Sequence, residues 1–321
     1  MADDGSGPKR IPVDGDLARA LADLGRRTRD VVRGSAEAGD QRVARTEGGD
    51  DVFGVDARAE DVLVAGFAAI GERWPGTAII EGFDAPVTVG DPGGPWRYIV
   101  DPVDGTRPYL AGKRSAWVLL GAGREARTLE DLEVGAMVEI PTRWAAQGRV
   151  AWATTGDRAA TVEVDDLLGT AAPVPLVIEP KPDGDLARTF VTVVRLLPGS
   201  HGPIGAWADA HLAGLEVYDD LVPCSAQHLW GVASGSDAAV LDARPLFHPA
   251  GLATHPYDLA SLVVARAAGA IVEALPPGPL TAPLDTDTPV AWAAYANDEI
   301  ATRLRPPPGS LPGPRPGALP G

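Results

Sequence analysis

The chain has 321 residues, 45% of them hydrophobic and 22% charged, which supplies enough apolar material for one large core or two fused smaller ones and excludes disorder along the whole length. A formal net charge of −16 argues against nucleic acid or an anionic membrane surface as the main partner, because a strongly negative surface repels phosphate backbones. Cys224 is the only cysteine, which rules out an intrachain disulfide and a cysteine-based zinc or iron–sulfur centre and fits a reducing cytoplasm.

Residues 1–13 are polar and rich in Gly and Asp, and they read as a disordered N-terminus without the apolar core of a signal peptide. The spacing of Leu17, Leu21, Leu24, Val31 and Val32 predicts an amphipathic helix over 14–33. Ala59, Val62, Leu63, Gly66, Phe67 and Ile70 predict a second over 57–74, stopped by Pro75 and Gly76. Apolar runs predict strands at 78–80, 96–100, 116–121, 133–139 and 149–154, so that residues 14–160 form an N-terminal half of helices over an antiparallel sheet. Residues 161–304 form a C-terminal half with strands at 175–178, 189–194 and 238–241, helices at 205–215 and 225–234, a helix after Tyr257, and a strand at AIVEAL. The Pro/Gly-rich stretch 305–321 reads as a disordered tail, and GREARTLEDLE, with its mixed charges, as solvated surface. No stretch reaches the roughly 20 apolar residues that a membrane span needs. Trp117, Trp152, Trp207, Trp230 and Trp292 sit in apolar stretches and are assigned to the core.

The segment WRYIVDPVDGTRPYLAG carries two carboxylates three residues apart at the end of an apolar strand. Pro102 fixes the backbone after Asp101, so the chain is expected to turn there and leave the strand, with Asp101 and Asp104 converging on one side of the turn. Hard cations such as magnesium take oxygen ligands of this kind. Gly105 offers a position free of side-chain clash, and Thr106 suits the opening of a helix whose free N–H groups face an anion. Taken alone, DPVDG is equally well an ordinary surface turn. The five histidines show no zinc spacing and are assigned to surface or core roles.

With its surroundings, YIVDPVDGT resembles the first signature of the inositol monophosphatase family, and HPYDLASLVVARAAGAIV is similar to the second. VGAMVEIPT, RVAWATTGDRA and CSAQHLWGVASGSDAAVLDARP resemble the intervening strands and helix, and GDDVFGVDARAEDVLVAGF resembles the Asp-rich segment opening the second helix. The resemblance implies an α+β fold, the layered α/β/α/β/α sandwich of the inositol monophosphatase and fructose-1,6-bisphosphatase type. It implies a phosphoric monoester hydrolase that uses two or three Mg2+ ions and water against a small phosphomonoester such as an inositol or sugar phosphate. Position by position, Glu81, Asp101, the carbonyl of Val103, Asp104 and Asp258 become metal ligands. Asp56, Thr106 and Glu81 become catalytic residues, Gly105 and Thr106 hold phosphate, and Ser225 and His255 face substrate. Glu81 matches only with a one-residue gap after Pro75, since ungapped pairing puts Gly82 in its place. That departure raises the alternative of an impaired relative that binds metal or a phosphorylated ligand without turnover. A cytoplasmic homodimer is the assembly the resemblance suggests.

Overall fold

A computed structural model of the chain describes residues 15–37, 43–47, 50–196, 201–249 and 251–312, without the side chains of 36–37, 43–47 and 50–57. The N-terminus expected to be disordered, 1–13, and residues 313–321 of the tail lie outside the described residues. Helix α1 (Gly15–Glu37) turns Leu17, Leu21, Leu24 and Val32 inward, following their three-to-four-residue spacing. A ribbon of β1 (Val43–Glu47) and β2 (Asp50–Phe53) leads into α2 (Gly54–Gly71), which buries Ala59, Leu63, Phe67 and Ile70. The two helices pack together through Gly66, where an added Cβ would lie 2.2 Å from Leu24 Cδ1.

After α2 come β3 (Gly76–Ile80), β4 (Val87–Val89), β5 (Trp96–Asp104), α3 (Thr106–Leu110), β6 (Ala116–Arg124), β7 (Val134–Ile140), β8 (Gln147–Thr154), β9 (Thr161–Asp166) and β10 (Val174–Pro175). These strands make one eight-stranded sheet in the order β10-β9-β8-β7-β6-β5-β3-β4, antiparallel except for the β3/β5 pair. There follow β11 (Phe190–Val193), α4 (His201–His211), α5 (Ser225–Ala233), β12 (Asp237–Asp242), α6 (Arg244–Phe247), α7 (Leu262–Ala268), β13 (Ile271–Ala274), β14 (Trp292–Tyr295) and α8 (Asp298–Leu304). Their strands form a four-stranded sheet, β11-β12-β14-β13.

Both faces of the large sheet are covered, which is why β6 is buried almost throughout. Val118, Leu120 and Ala122 face the core under α1 and α2, while Trp117 and Leu119 face a second core shared with α5, α7 and the small sheet. The period of two along a strand thus assigns each residue to one of two cores. The result is the layered α/β/α/β/α arrangement, with α4 and α8 on the outer side of the small sheet.

Several elements differ from the sequence expectation. The strand that was expected to end at Asp101 continues to Asp104, because a β-bulge absorbs Pro102, which has no N–H to give to the ladder. The large sheet runs on through β9 and β10 beyond residue 160, and the changeover between sheets falls between β10 and β11. Of the strand expected at 175–178 only Val174–Pro175 pairs, and Val177 is 82% exposed, since the EPKP stretch that follows denies the chain regular ladder donors. The helix expected from Asp258 is split into a 3-10 turn, Pro256–Leu259, and α7. GREARTLEDLE is solvated only in part, because Leu129 and Leu132 are buried. Among the tryptophans, Trp117, Trp230 and Trp292 are buried and Trp152 and Trp207 partly so.

A buried ionic link fastens α1 to the far side of the large sheet. Arg29, only 4% exposed, donates to Asp165 on β9 at 2.6 Å, and Arg26 donates to Asp165 and Glu163. Burial opposes ionisation of Asp165, but the hydrogen bonds and charges of Arg26 and Arg29 outweigh it and hold that carboxyl below the usual range. Asp165→Ala would leave Arg29 with only the exposed Asp30 as an ion-pair partner and take a carboxylate from Arg26, and it is expected to destabilise the protein by about 2–4 kcal/mol in urea unfolding at pH 7. With the folded-state pKa lowered, this stability is present above the unfolded pKa and is lost as pH falls through the folded one. An unchanged urea midpoint would contradict it.

Candidate active site

Asp101 shares a sheet face with Ile99, toward the second core. In an unbroken strand a residue three positions later would point the other way. The bulge restores the phase: Asp101 pairs with Leu119 and Asp104 with Trp117, two residues of the same face. Inside the bulge the Val103 N–H donates to Asp101 Oδ1 at 2.9 Å. The sequence therefore brings both carboxylates to one side by inserting a residue, where the expectation was a turn.

Asp104 is then gripped from the other half of the chain. Helix α5 opens on Cys224, whose side chain makes no capping hydrogen bond. Asp104 takes over that role: its Oδ2 accepts the Ala226 N–H at 2.6 Å, with Cys224 Sγ 3.4 Å away. Asp258 lies in the 3-10 turn ahead of α7, where its Oδ2 accepts the His255 N–H at 2.6 Å. Ligand atoms of Asp101, Asp104 and Asp258 all lie within 4.8 Å of one another.

Glu81 follows β3 directly. Its N–H donates to Val100 O at 3.0 Å, prolonging the β3/β5 pairing, and its side chain is hydrogen-bonded to Asp101. Gly82 forms the turn beyond it with φ 85°. In space it is Glu81, and not Gly82, whose side chain meets Asp101.

Such a cluster is electrostatically costly by itself. Burial, together with the charges of Glu81, Asp104 and Asp258, pushes the Asp101 carboxyl well above the usual carboxylate range. Burial pushes Asp104 up to about 6 even though the amides of Ala226 and Ser225, the Cys224 thiol and the Arg244 charge oppose the shift. Burial and the Asp104 charge likewise raise Asp258. An all-oxygen donor set of carboxylates suits a hard divalent cation, which would relieve this repulsion.

Gly105 adopts φ 89°, and an added Cβ would lie 3.1 Å from both Cβ and Sγ of Cys224, so neither the backbone nor the space admits a side chain. The Thr106 hydroxyl donates to Val103 O at 2.7 Å. Asp56 lies in the first turn of α2, and its side chain, hence its pairing with Thr106, lies outside the description. His255 is partly exposed, with its ring stacked on Tyr257 and Nδ1 3.9 Å from Asp258 Oδ2. Ser225 is only 8% exposed, and its hydroxyl meets Thr254 Oγ1 at 3.2 Å, turned into the wall of the site. His228 is a neutral core histidine: burial lowers it to about 4, and its Nε2 meets Val222 O at 2.9 Å.

Behind Ser225 stands a network that sequence reading does not find. Arg244 donates through Nε and Nη2 to Asp242 at 2.8 and 2.6 Å, and Thr254 Oγ1 donates to Asp242 at 2.7 Å. Trp292 Nε1 approaches Thr254 at 3.2 Å. DARP reads locally as a strand running into a turn, and no local pattern marks its residues. A cavity of about 530 Å3 lies elsewhere, at the amino ends of β11 and β12, lined by Lys181, Arg188, Ser234 and Ser236 among others. It contains no carboxylate cluster, and Asp242 with its Arg244 and Thr254 partners lies at the opposite end of β12.

The layers and the seam between the two sheets define a fold of the inositol monophosphatase type. Solved structures match over nearly the whole chain. Extragenic suppressor protein suhB from Bartonella henselae is 14% identical, with a TM-score of 0.64 over 90% of this chain and 97% of that chain. Mycobacterium tuberculosis SuhB is 19% identical, with a TM-score of 0.62 over 90% and 94%. Inositol monophosphatase from Anabaena (Nostoc) is 15% identical, with a TM-score of 0.60 over 92% and 98%. No protein-family model matches the sequence, and no curated protein matches it. Among the described residues no helix is long and apolar enough to cross a membrane.

Proposed function

We propose that the chain is a magnesium-dependent phosphatase that hydrolyses a small phosphomonoester, such as an inositol phosphate, a sugar phosphate or a related metabolite. The observation that carries this reading is the convergence of Asp101, Asp104 and Asp258, with Glu81 bonded to Asp101, at the seam between the sheets. Those four carboxyls and the Val103 carbonyl would hold the two or three magnesium ions of this reading. When bound, the metal supplies Lewis-acid polarisation of the phosphoryl oxygens and a water acidic enough to attack at neutral pH. Thr106 donates its hydroxyl hydrogen bond to Val103 O, so its oxygen keeps lone pairs to accept a hydrogen bond from the attacking water, which Asp56 helps to orient. The amides of Gly105 and Thr106 hold phosphate oxygens, and the absence of a side chain at Gly105 keeps that approach open. His255 borders the substrate, and no histidine base is required.

A relative that binds without turnover is the alternative, and its motive was the altered segment around Glu81. The bond from Glu81 to Asp101 favours the catalytic reading. A cytoplasmic homodimer is part of the same proposal, and gel filtration tests the assembly. The test of function is phosphate release, with magnesium, from an inositol monophosphate, fructose 1,6-bisphosphate and adenosine 3′-phosphate. Release from at least one is expected, falling by ~10²-fold or more in Asp104→Asn. Release that this substitution leaves intact would overturn the reading.

A further inference from the structure

Arg244 stands out among the buried cations because its charge acts on both Asp104 and Asp258. It is also held rigidly. Nε and Nη2 are committed to Asp242, and Nη2 also reaches Thr254 at 3.2 Å. Thr254 is bonded in turn to Ser225, the first residue of the helix that grips Asp104. Among the described residues Nη1 makes no hydrogen bond, and 8% of the side chain reaches solvent. A guanidinium has five N–H donors in a flat fork, so an outer edge remains, preoriented by Asp242 and available to oxygen atoms.

A second feature lies on the other flank. From Gly105 to Arg124 the sequence contains no acidic residue, in a chain that carries 44 of them. Arg107, Lys113 and Arg114 are exposed there, and the Lys113 and Arg114 amides fold back onto Pro108 O, against α3 and Gly105. Lys113 has no ion-pair partner among the described residues. Arg114 reaches Asp220, on the approach to α5, at 2.7 Å. In a molecule of net charge −16, an exposed stretch with cations and no carboxylate of its own favours anions locally.

We propose that the site carries a second anion subsite, with Arg244 as its specificity-determining donor and Arg107, Lys113 and Arg114 as its cationic rim, so that the substrate is a phosphomonoester bearing a further phosphate or carboxylate. This inference rests on the phosphatase reading above and narrows its substrate class. A rigid fork of donors favours paired anionic oxygens over a lone hydroxyl, and charge-assisted contacts discriminate more strongly than neutral ones.

The test uses matched substrates on the full chain with magnesium: adenosine 3′,5′-bisphosphate against adenosine 3′-phosphate, and 3-phosphoglycerate against glycerol 3-phosphate. The first pair reads a second phosphate, the second a carboxylate. A preference in kcat/KM on the order of 10- to 100-fold for the doubly anionic member of at least one pair is expected. Arg244→Lys is expected to shrink that ratio toward one, because an ammonium cannot hold Asp242 and an outer ligand in one plane. Should the buried substitution unfold the protein, exposed Lys113→Glu is expected to lower the same ratio and to weaken its dependence on salt. Calorimetric affinities with calcium in place of magnesium give the ratio without turnover. Turnover with a wild-type ratio of one or less in both pairs overturns the subsite and leaves the phosphatase. Selective binding with no turnover of any substrate supports the subsite and overturns the phosphatase.

Discussion

Asp101→Asn is expected to abolish phosphate release and, at pH 8, to raise the melting temperature of the metal-free protein. The two effects have one source. Asp101 is 1% exposed and faces three other carboxyls, so without a cation its charge is both desolvated and repelled. An amide at that position still accepts from the Val103 N–H and can donate to Glu81, while one negative charge disappears. The gain is expected to be about 1–3 kcal/mol, visible as a rise of a few degrees in a thermal melt. Activity should fall by ~10³-fold or more, since a carboxylate that would hold the metal is lost and each factor of ten corresponds to about 1.4 kcal/mol of transition-state stabilisation. A variant that is less stable than wild type without metal, yet still turns over, would show that the carboxylates form no strained cation site.

Magnesium is expected to stabilise the wild-type chain in a pH-dependent way. The folded-state pKa values of Asp101, Asp104 and Asp258 are raised, that of Asp104 to about 6. Between the unfolded and folded values the native state therefore binds more protons than the unfolded chain. The contribution of these groups is complete below the unfolded pKa, and it is lost as pH climbs through about 6 and above. Magnesium takes the place of the protons, so its effect grows over the same range. At a concentration of one hundred times Kd the stabilisation is about 2.7 kcal/mol, roughly 4 °C in melting temperature for a chain of this size. Melting curves at pH 5 and pH 8, with and without magnesium, measure this. A shift that is absent at pH 8, or larger at pH 5, would contradict the site.

Much of the fold was legible because its signals are local. The apolar spacing of Leu17, Leu21 and Leu24, and of Ala59, Leu63 and Phe67, gave α1 and α2 within a few residues at each end. The strands of the large sheet up to β8, except the short edge strand β4, were marked by apolar runs between turn residues. β9 and β14 were missed for different reasons: TVEVDD mixes acidic residues into its alternation, and WAAY is too short and alanine-rich to carry a period. The role assigned to Pro102 was mistaken in form. A proline excludes a ladder donor, and a chain can meet that by a bulge as well as by leaving the strand.

By itself the sequence determined the candidate residues: acidic side chains in DPVDGT and in PYD, a glycine where φ is positive, and no cysteine or histidine set that would suggest another metal. Only the tertiary structure decided that Asp101 and Asp104 share a sheet face, that Asp258 reaches them from more than 150 residues away, and that Ala226 and Arg244 bear on them from the other half. The physical reason is that side-chain direction alternates along a strand and is reset by one inserted residue, while contacts across the seam depend on how two sheets and the helices between them are stacked. Neither quantity leaves a mark in local composition.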